Sequence, residues 1–456
     1  MITERLLEIA DRTVKFALKH SIDQAQITAF LDNSSLTRFA NSQIHQNVAA
    51  KKAGVAIKVV SAKKIGTIQT NSLEQGHIEE AVTKAVKITK VSPPNKDFRS
   101  LPPPLDWTPI KGIYDAKTAN CTPDFRAENE KEAIETAHST SPLVKAVAGS
   151  FSADSIAFAV VNSLGISAWS EITLTSMQTT VISKSGSSQG FSSAEQHSRT
   201  ISDINPAKIA SEAAERSVKS INPKKIPTGE YEVVLSPRAI AGLLMYLGFI
   251  GFSATSYQDG RSFVKYNLNK QVFDKKLNVI DDPRDPHSLM AIAIDGEGVP
   301  KRKVNLITDG EVSETSICYD SFTAGKEGKE STGHSLPQIW GYYNRPLPFN
   351  LLADPGDSSI EEMIQETKHG IFITRFHYTN PVEPTKAILT GLTRDGTFLI
   401  ENGKITGPVS NLRYTDSMLS ALKEIPLISS EREIVEDVTT PAMKLKKLRF
   451  TGTTEY

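Results

Sequence analysis

Six prolines fall between residues 92 and 109, among them Pro93-Pro94 and Pro102-Pro103-Pro104. Proline fixes φ and lacks a backbone donor, so a stretch this dense in it excludes helix and central strand and favours extended connections. A chain of 456 residues is also too long for one hydrophobic core, because single cores stop growing near roughly 250–300 residues. Together these facts predict an N-terminal α+β domain over residues 1–91, a central α+β domain over 110–222 and a β-rich domain over 229–456. The last boundary follows a second linker at 221–229, with two prolines and two lysines.

The same order of elements recurs on either side of the first linker. Leu6, Leu7, Ile9, Ala10, Val14, Ala17 and Leu18 stand at helical spacing after Thr3, strands are expected at 25–31, 54–60 and 64–70, and Ile78, Ala81, Val82, Ala85 and Val86 mark a second helix. Beyond the linker, Thr122-Pro123 opens a helix to about His138, alternating segments follow at 144–152, 155–162 and 171–183, and Asn205-Pro206 starts another helix. Ala40-Asn41-Ser42 and Val161-Asn162-Ser163 occupy matching places, a weak sign of duplication. The remainder holds a strand at 231–235, an apolar segment at 237–252, short helices at 359–367 and 416–423, and β runs. Asp309-Gly310, Asp395-Gly396 and Asn402-Gly403 read as turns between them. The fold class is therefore α+β and multi-domain: two helix–strands–helix units followed by a β-rich C-terminal domain.

Fifty-two basic residues balance fifty-two acidic ones, so no overall positive field draws the chain to nucleic acid or an anionic membrane. No run of about 20 apolar residues and no signal-peptide core is present, and Cys121 and Cys318 stand far apart, with no Cys-x-x-Cys spacing. A cytoplasmic protein is expected.

Several motifs dissolve on inspection. Gly186-Ser187-Ser188-Gln189-Gly190 fits the nucleophile elbow, with His197 and Asp203 nearby, but a polar stretch rather than a helix follows it; it reads as a flexible loop. Gly325-Lys326 and Gly328-Lys329 lack the earlier glycine of a phosphate loop, so the segment 325–333 reads as a mobile surface loop. His369 and His377 lie about 26 Å apart on an extended strand and cannot share an ion. Asp281-Asp282-Pro283-Arg284-Asp285-Pro286 reads as a charged turn rather than a cation site.

Four stretches carry a resemblance: residues 37–46 (Thr-Arg-Phe-Ala-Asn-Ser-Gln-Ile-His-Gln), Asp281-Asp282-Pro283 with Asp295-Gly296-Glu297-Gly298-Val299-Pro300, Ser331-Thr332-Gly333-His334, and Leu399-Ile400-Glu401-Asn402-Gly403-Lys404-Ile405 with Pro408-Val409. In order and spacing the chain resembles the TldD/PmbA family, also called the modulator of DNA gyrase family, most closely a PmbA (TldE)-type subunit. The resemblance implies a three-part α+β protein working as a dimer, often a TldD-type chain with a PmbA-type chain, around a cavity that admits unfolded peptide. It also implies that the TldD-type chain is the metallopeptidase, with a His-Glu-x-x-x-His helix after a Val-Leu-x-Pro strand end and a C-terminal cysteine. Two imidazoles and a thiolate hold zinc there, and the glutamate acts as general base.

Counted from Val234-Leu235-Ser236-Pro237, the two histidine positions fall here on Met245 and Ile250 and the glutamate position on Tyr246. A thioether is too weak a donor for zinc, an alkyl group has none, and a phenol is a poor base at neutral pH. No catalytic residue, metal ligand or cofactor is therefore expected in this chain; zinc is expected in a TldD-type partner. The leading expectation is a non-catalytic subunit of a TldD/TldE-type metallopeptidase. The rivals are a stand-alone homodimeric peptide-binding module and an indirect regulator of DNA gyrase. Dimer contacts are expected from the apolar segments 239–252 and 349–353, and peptide docking from the strand 370–378 through Ile373, Arg375 and His377.

Overall fold

A computed structural model describes residues 2–337 and 345–453. The N-terminal helix α1 (Ile2–Ala17) buries Leu6, Ile9, Ala10, Val14 and Ala17, the stripe its spacing requires. Three antiparallel strands follow, β1 (Gln24–Ala40), β2 (Gln43–Ser61) and β3 (Lys64–Thr70), and then α2 (Gln75–Val91). β1 and β2 are far longer than the strands expected at 25–31 and 54–60. Asn41 and Ser42, both at positive φ, close their hairpin, and Ala62-Lys63 closes the next in the same way.

After a four-residue helix α3 (Ala116–Ala119), α4 (Pro123–Thr140) starts where Thr122 accepts a hydrogen bond from the Phe125 amide, with Pro123 in the first turn. β4 (Val144–Asn162) is one continuous strand where two segments were expected. Pairing with β1 on one side and β5 (Ser167–Ser185) on the other carries it through Ala153-Asp154, where no glycine or proline interrupts it. Residues 185–188, with Gly186 at positive φ, form a hairpin and not a flexible loop, and the polar stretch beyond is strand β6 (Ser188–Ser198). α5 (Pro206–Lys219) is capped by Asn205.

The six strands form a single sheet in the order β3-β2-β1-β4-β5-β6, with three strands from each unit meeting at the β1–β4 pair. One face carries α1 and α2 over Ile27, Val55, Ile57 and Ala159 at one end, and α4 and α5 over Phe39, Phe151, Met177 and Val181 at the other. The proline-rich segment lies along this sheet as a strap: Gln24 Oε1 accepts from the Leu101 amide, Asn162 Nδ2 donates to Pro102 O, and Trp107 meets Trp169 edge-on.

In the C-terminal part, β7 (Gly229–Leu235) runs into α6 (Pro237–Gly251), with Ser236 as N-cap. β7, His369–Glu383, Ile388–Glu401, Leu412–Ser417 and Val438–Thr453 pair in succession. Val438–Thr453 pairs in turn with β7, so the five strands close into a ring without a free edge between them. Asp395-Gly396 is not a hairpin turn. It is a bulge inside Ile388–Glu401, where the pairing slips between Ile373↔Thr397 and Arg375↔Arg394.

The α6 core face, with Ile240, Leu243, Leu244, Leu247 and Ile250, packs inside this domain together with Leu351 and Ala353. The segments 239–252 and 349–353, expected to offer apolar surface, turn most of their apolar side chains into this core instead. The segment 325–333 is not a mobile loop either. The helix Ser321–Glu327 enters it, Gly328 ends that helix at positive φ, and the Ser331 and Thr332 hydroxyls both donate to Tyr319 O. Residues 291–294 dock the domain on the second face of the six-stranded sheet against Phe158, Val160 and Ile172. Among the described residues no helix is long and apolar enough to cross a membrane.

Candidate functional site

A cleft of about 360 Å³ opens on the seam between the sheet and the C-terminal domain. Its sheet wall consists of Ser150, Ser176, Gln178, Glu195 and His197, which alternate along β4, β5 and β6 and so share one face. Its opposite wall is α6, whose Arg238, Ala241, Gly242 and Met245 recur at helical spacing; Arg375, Phe376 and residues 435–438 complete it.

Two ion pairs organise the seam. Arg238 donates from Nε to Glu195 Oε1 at 3.1 Å and from Nη1 to Ser193 O at 2.6 Å, tying α6 to β6. Burial alone raises the Glu195 carboxyl, but His197 and Arg238 outweigh it and hold it at about 2. Arg375 donates from Nε to Asp395 Oδ2 at 2.5 Å, and the same oxygen accepts from the Ser193 hydroxyl at 2.7 Å. The left-handed bulge at Asp395 thus aims a carboxylate from the ring at β6. His197 lies 3.9 Å from Glu195, and its Nε2 is buried without a hydrogen-bond partner among the described residues. On the far rim, burial and then Glu436 push the Asp437 carboxyl up to about 7.

The residues singled out in the sequence scatter. Met245 faces the cleft, Tyr246 is half-buried against the domain core, and Ile250 lies inside that core. Five residues apart on a helix is about 140°, so Met245 and Ile250 point in different directions and form no common site. A thioether, a phenol and a buried alkyl group do not fit zinc. Among the described residues no three His, Cys, Asp or Glu side chains gather where they could hold a metal ion.

Of the expected docking residues, Arg375 lines the cleft. Ile373 is fully buried, with its strand paired to β7 on one side and to Ile388–Glu401 on the other and its carbonyl accepting from the Ser236 amide. It can reach no peptide, and at this point the strand is interior rather than an edge. His377 leans on Tyr378, ring centroids 4.3 Å apart, outside the cleft lining; burial and then Arg375 lower its pKa. Sequence reasoning missed Glu195, Arg238 and Asp395. The only trace they leave is the Glu195–His197 alternation within a polar stretch. His197 was weighed only as a triad member, yet it stands nine residues along β6 from Ser188, about 30 Å at strand rise. Asp281, read as part of a charged turn, is instead wholly buried and bonded to His334.

The comparisons agree with this architecture. Residues 228–452 match the PmbA/TldA metallopeptidase C-terminal domain and residues 123–221 the PmbA/TldA metallopeptidase central domain. A metalloprotease of Methanocaldococcus jannaschii is 24% identical over 439 residues, which span 94% of this chain and 92% of that protein. The metalloprotease PmbA of Escherichia coli O157:H7 is 23% identical over 256 residues, 56% of this chain and 53% of that protein, so the chain matches about half of its length. TldE from Thermococcus kodakarensis shares the fold, with a TM-score of 0.89 at 21% identity, covering 97% of this chain and 100% of that one. The chain belongs to the TldD/PmbA family.

Proposed function

We propose that this chain is the non-catalytic subunit of a cytoplasmic TldD/TldE-type metallopeptidase, holding unfolded peptide or small-protein substrates for a TldD-type partner that supplies zinc. The observation that carries the reading is α6. It follows the family's strand end, yet it presents Met245 to the cleft and directs Ile250 into the core, so the helix that would bear the ligands bears none. In their place Arg238 and Glu195 clamp the helix to the sheet, which makes this wall of the cleft a fixed surface. Ser150, Ser176 and Gln178 offer hydrogen-bonding groups along that surface that suit a peptide backbone without demanding a sequence.

The test is to purify the chain alone and with a TldD-type chain from the same cell, dialyse both, and measure zinc and hydrolysis of an unfolded polypeptide. The chain alone is expected to hold no stoichiometric zinc and to hydrolyse nothing, and the mixture to form a complex that does. Zinc retained at one per chain, or hydrolysis by this chain alone, overturns the reading.

A further inference from the structure

β2 is covered on its outer side only in part. β3 pairs with it from Val55↔Thr70 to Ser61↔Lys64 and then stops. The cause is local: a Cβ on Gly54 would stand 2.2 Å from Thr70 O, so the backbones approach closely there, and the chain leaves through residues 71–74 into α2. From residue 43 to 53 the strand is held on its inner side by β1, while among the described residues its outer edge pairs with nothing. Residues 43–49 are all exposed, Ile44 by 42% and Val48 by 37%.

The edge is nevertheless rigidly built. Arg126, fully buried in α4, donates from Nη2 to Asn47 Oδ1 at 2.8 Å and from Nε to the Thr37 hydroxyl at 3.0 Å, locking both strands of the hairpin. Such an edge normally carries lysine, proline, an inward charge or a covering element, because an open row of backbone donors and acceptors recruits other chains, and here the lysines stand only at its far end, at 51 and 52. Residues 43–50 contain no Asp, Glu, Lys or Arg. Where β3 ends, Lys51, Lys52, Ala53, Gln69 and Asn71 line a cavity of about 280 Å³ that also reaches Asp32. Lys52 faces Asp32 across the β1–β2 pair, whereas Lys51 has no ion-pair partner among the described residues, and β2 itself contains no carboxylate.

We propose that residues 43–53 of β2 are a docking edge for an extended polypeptide segment of another protein. The segment adds antiparallel to β2 in the line of β3, with carboxylate side chains at its N-terminal end beside Lys51 and Lys52. Charge selects the occupant. A second copy of this chain pairing through the same edge brings two lysines and no carboxylate, whereas an acidic strand neutralises the lysines and covers Ile44 and Val48 with its own apolar positions. The site lies on the outer edge of the sheet, apart from the α6 cleft, and does not depend on the peptidase reading.

The test uses the full-length chain and a short synthetic peptide of alternating Val and Thr with two Glu at its N-terminal end, beside a version with Lys in place of Glu. Binding is followed by fluorescence anisotropy and by hydrogen exchange of residues 43–53. The acidic peptide is expected to bind, to slow exchange in that segment and to weaken with salt; K51E/K52E weakens it about tenfold and favours the Lys version instead. A second variant, Ala49→Pro, places a ring at a position whose backbone faces away from β1 and abolishes protection while leaving the β1 pairing and the cleft residues untouched. Equal binding of both peptides, protection confined to other segments, or protection that rises with protein concentration and needs no peptide overturns the proposal; the last result assigns the edge to a second copy.

Discussion

Asp281 in the C-terminal domain and Glu130 in α4 are both wholly removed from solvent, yet they are held in opposite states. Asp281 accepts from the Phe349 and Asn350 amides at 2.7 and 2.8 Å and faces His334 Nε2 at 3.1 Å, with the Lys301 charge close by; burial opposes its ionisation, but these neighbours win and hold it well below the usual carboxylate range. Glu130 accepts from the Phe151 amide at 3.1 Å, its second oxygen has no partner among the described residues, and the nearby Arg126 already donates to Thr37, Asn47 and Cys121. Burial therefore dominates and pushes it up to about 8. Depth alone does not fix the charge of a buried acid; the number of donors still free to meet it does.

Asp281→Ala should give the largest effect. It strands the Lys301 charge without its counter-charge and leaves the His334 ring, which burial keeps toward its neutral form, without its hydrogen-bond partner, and denaturant titration should show a loss of about 3–5 kcal/mol; a loss near zero would make the network ornamental. The pH dependence comes next, and its two parts have opposite sign. The Asp281 contribution is full above its unfolded pKa of about 3.9 and is lost as pH falls below it. Glu130, whose folded pKa is raised, is favourable while protonated, and stability declines as pH rises from about 4.3 toward 8. Glu130→Gln should flatten that second slope and make the protein more stable than the parent at pH 8, by about 1–2 kcal/mol. If the slope survives the substitution, another acid owns it. The smallest effect belongs to the seam, where the Ser193 hydroxyl still donates to the Asp395 carboxylate once Arg375 is gone: Arg375→Met should cost about 1 kcal/mol. A larger loss would place Asp395 with Asp281 rather than between the two cases.

Helix starts were the most legible part of the sequence, because Thr122-Pro123 and Asn205-Pro206 each join a side-chain acceptor to a residue that needs no amide partner. The outer halves of β1 and β2 were not legible: with few buried positions on either face there, no alternation marks them. β6 was lost for a related reason, since Ser192 and Ser193 are buried while carrying hydroxyls. α6 misled in the other direction. Its core face is enclosed within the domain, and hydropathy cannot tell a helix that covers a surface from one that is covered. The degenerate ligand positions were readable only through the family resemblance. Glu195 and Arg238 meet only when the sheet docks on the ring, and no local pattern announces a partner 43 residues away.

The proline-rich strap crosses a sheet that is continuous beneath it. β1 and β4 pair over fourteen successive positions through backbone bonds that do not involve the strap, which packs over the junction through Trp107, Ile110 and Ile113 against Phe30 and Phe158. Its covalent role is accordingly separable from its structural one. A single cut near Lys111 and Gly112, where the strap is exposed, would turn one chain into two that remain zipped together, each completing the other's half of the sheet. The molecule is, in that sense, already a complex of two fragments that happen to be translated in series, and the seam along which it could be split genetically is the one its hydrogen bonds would heal.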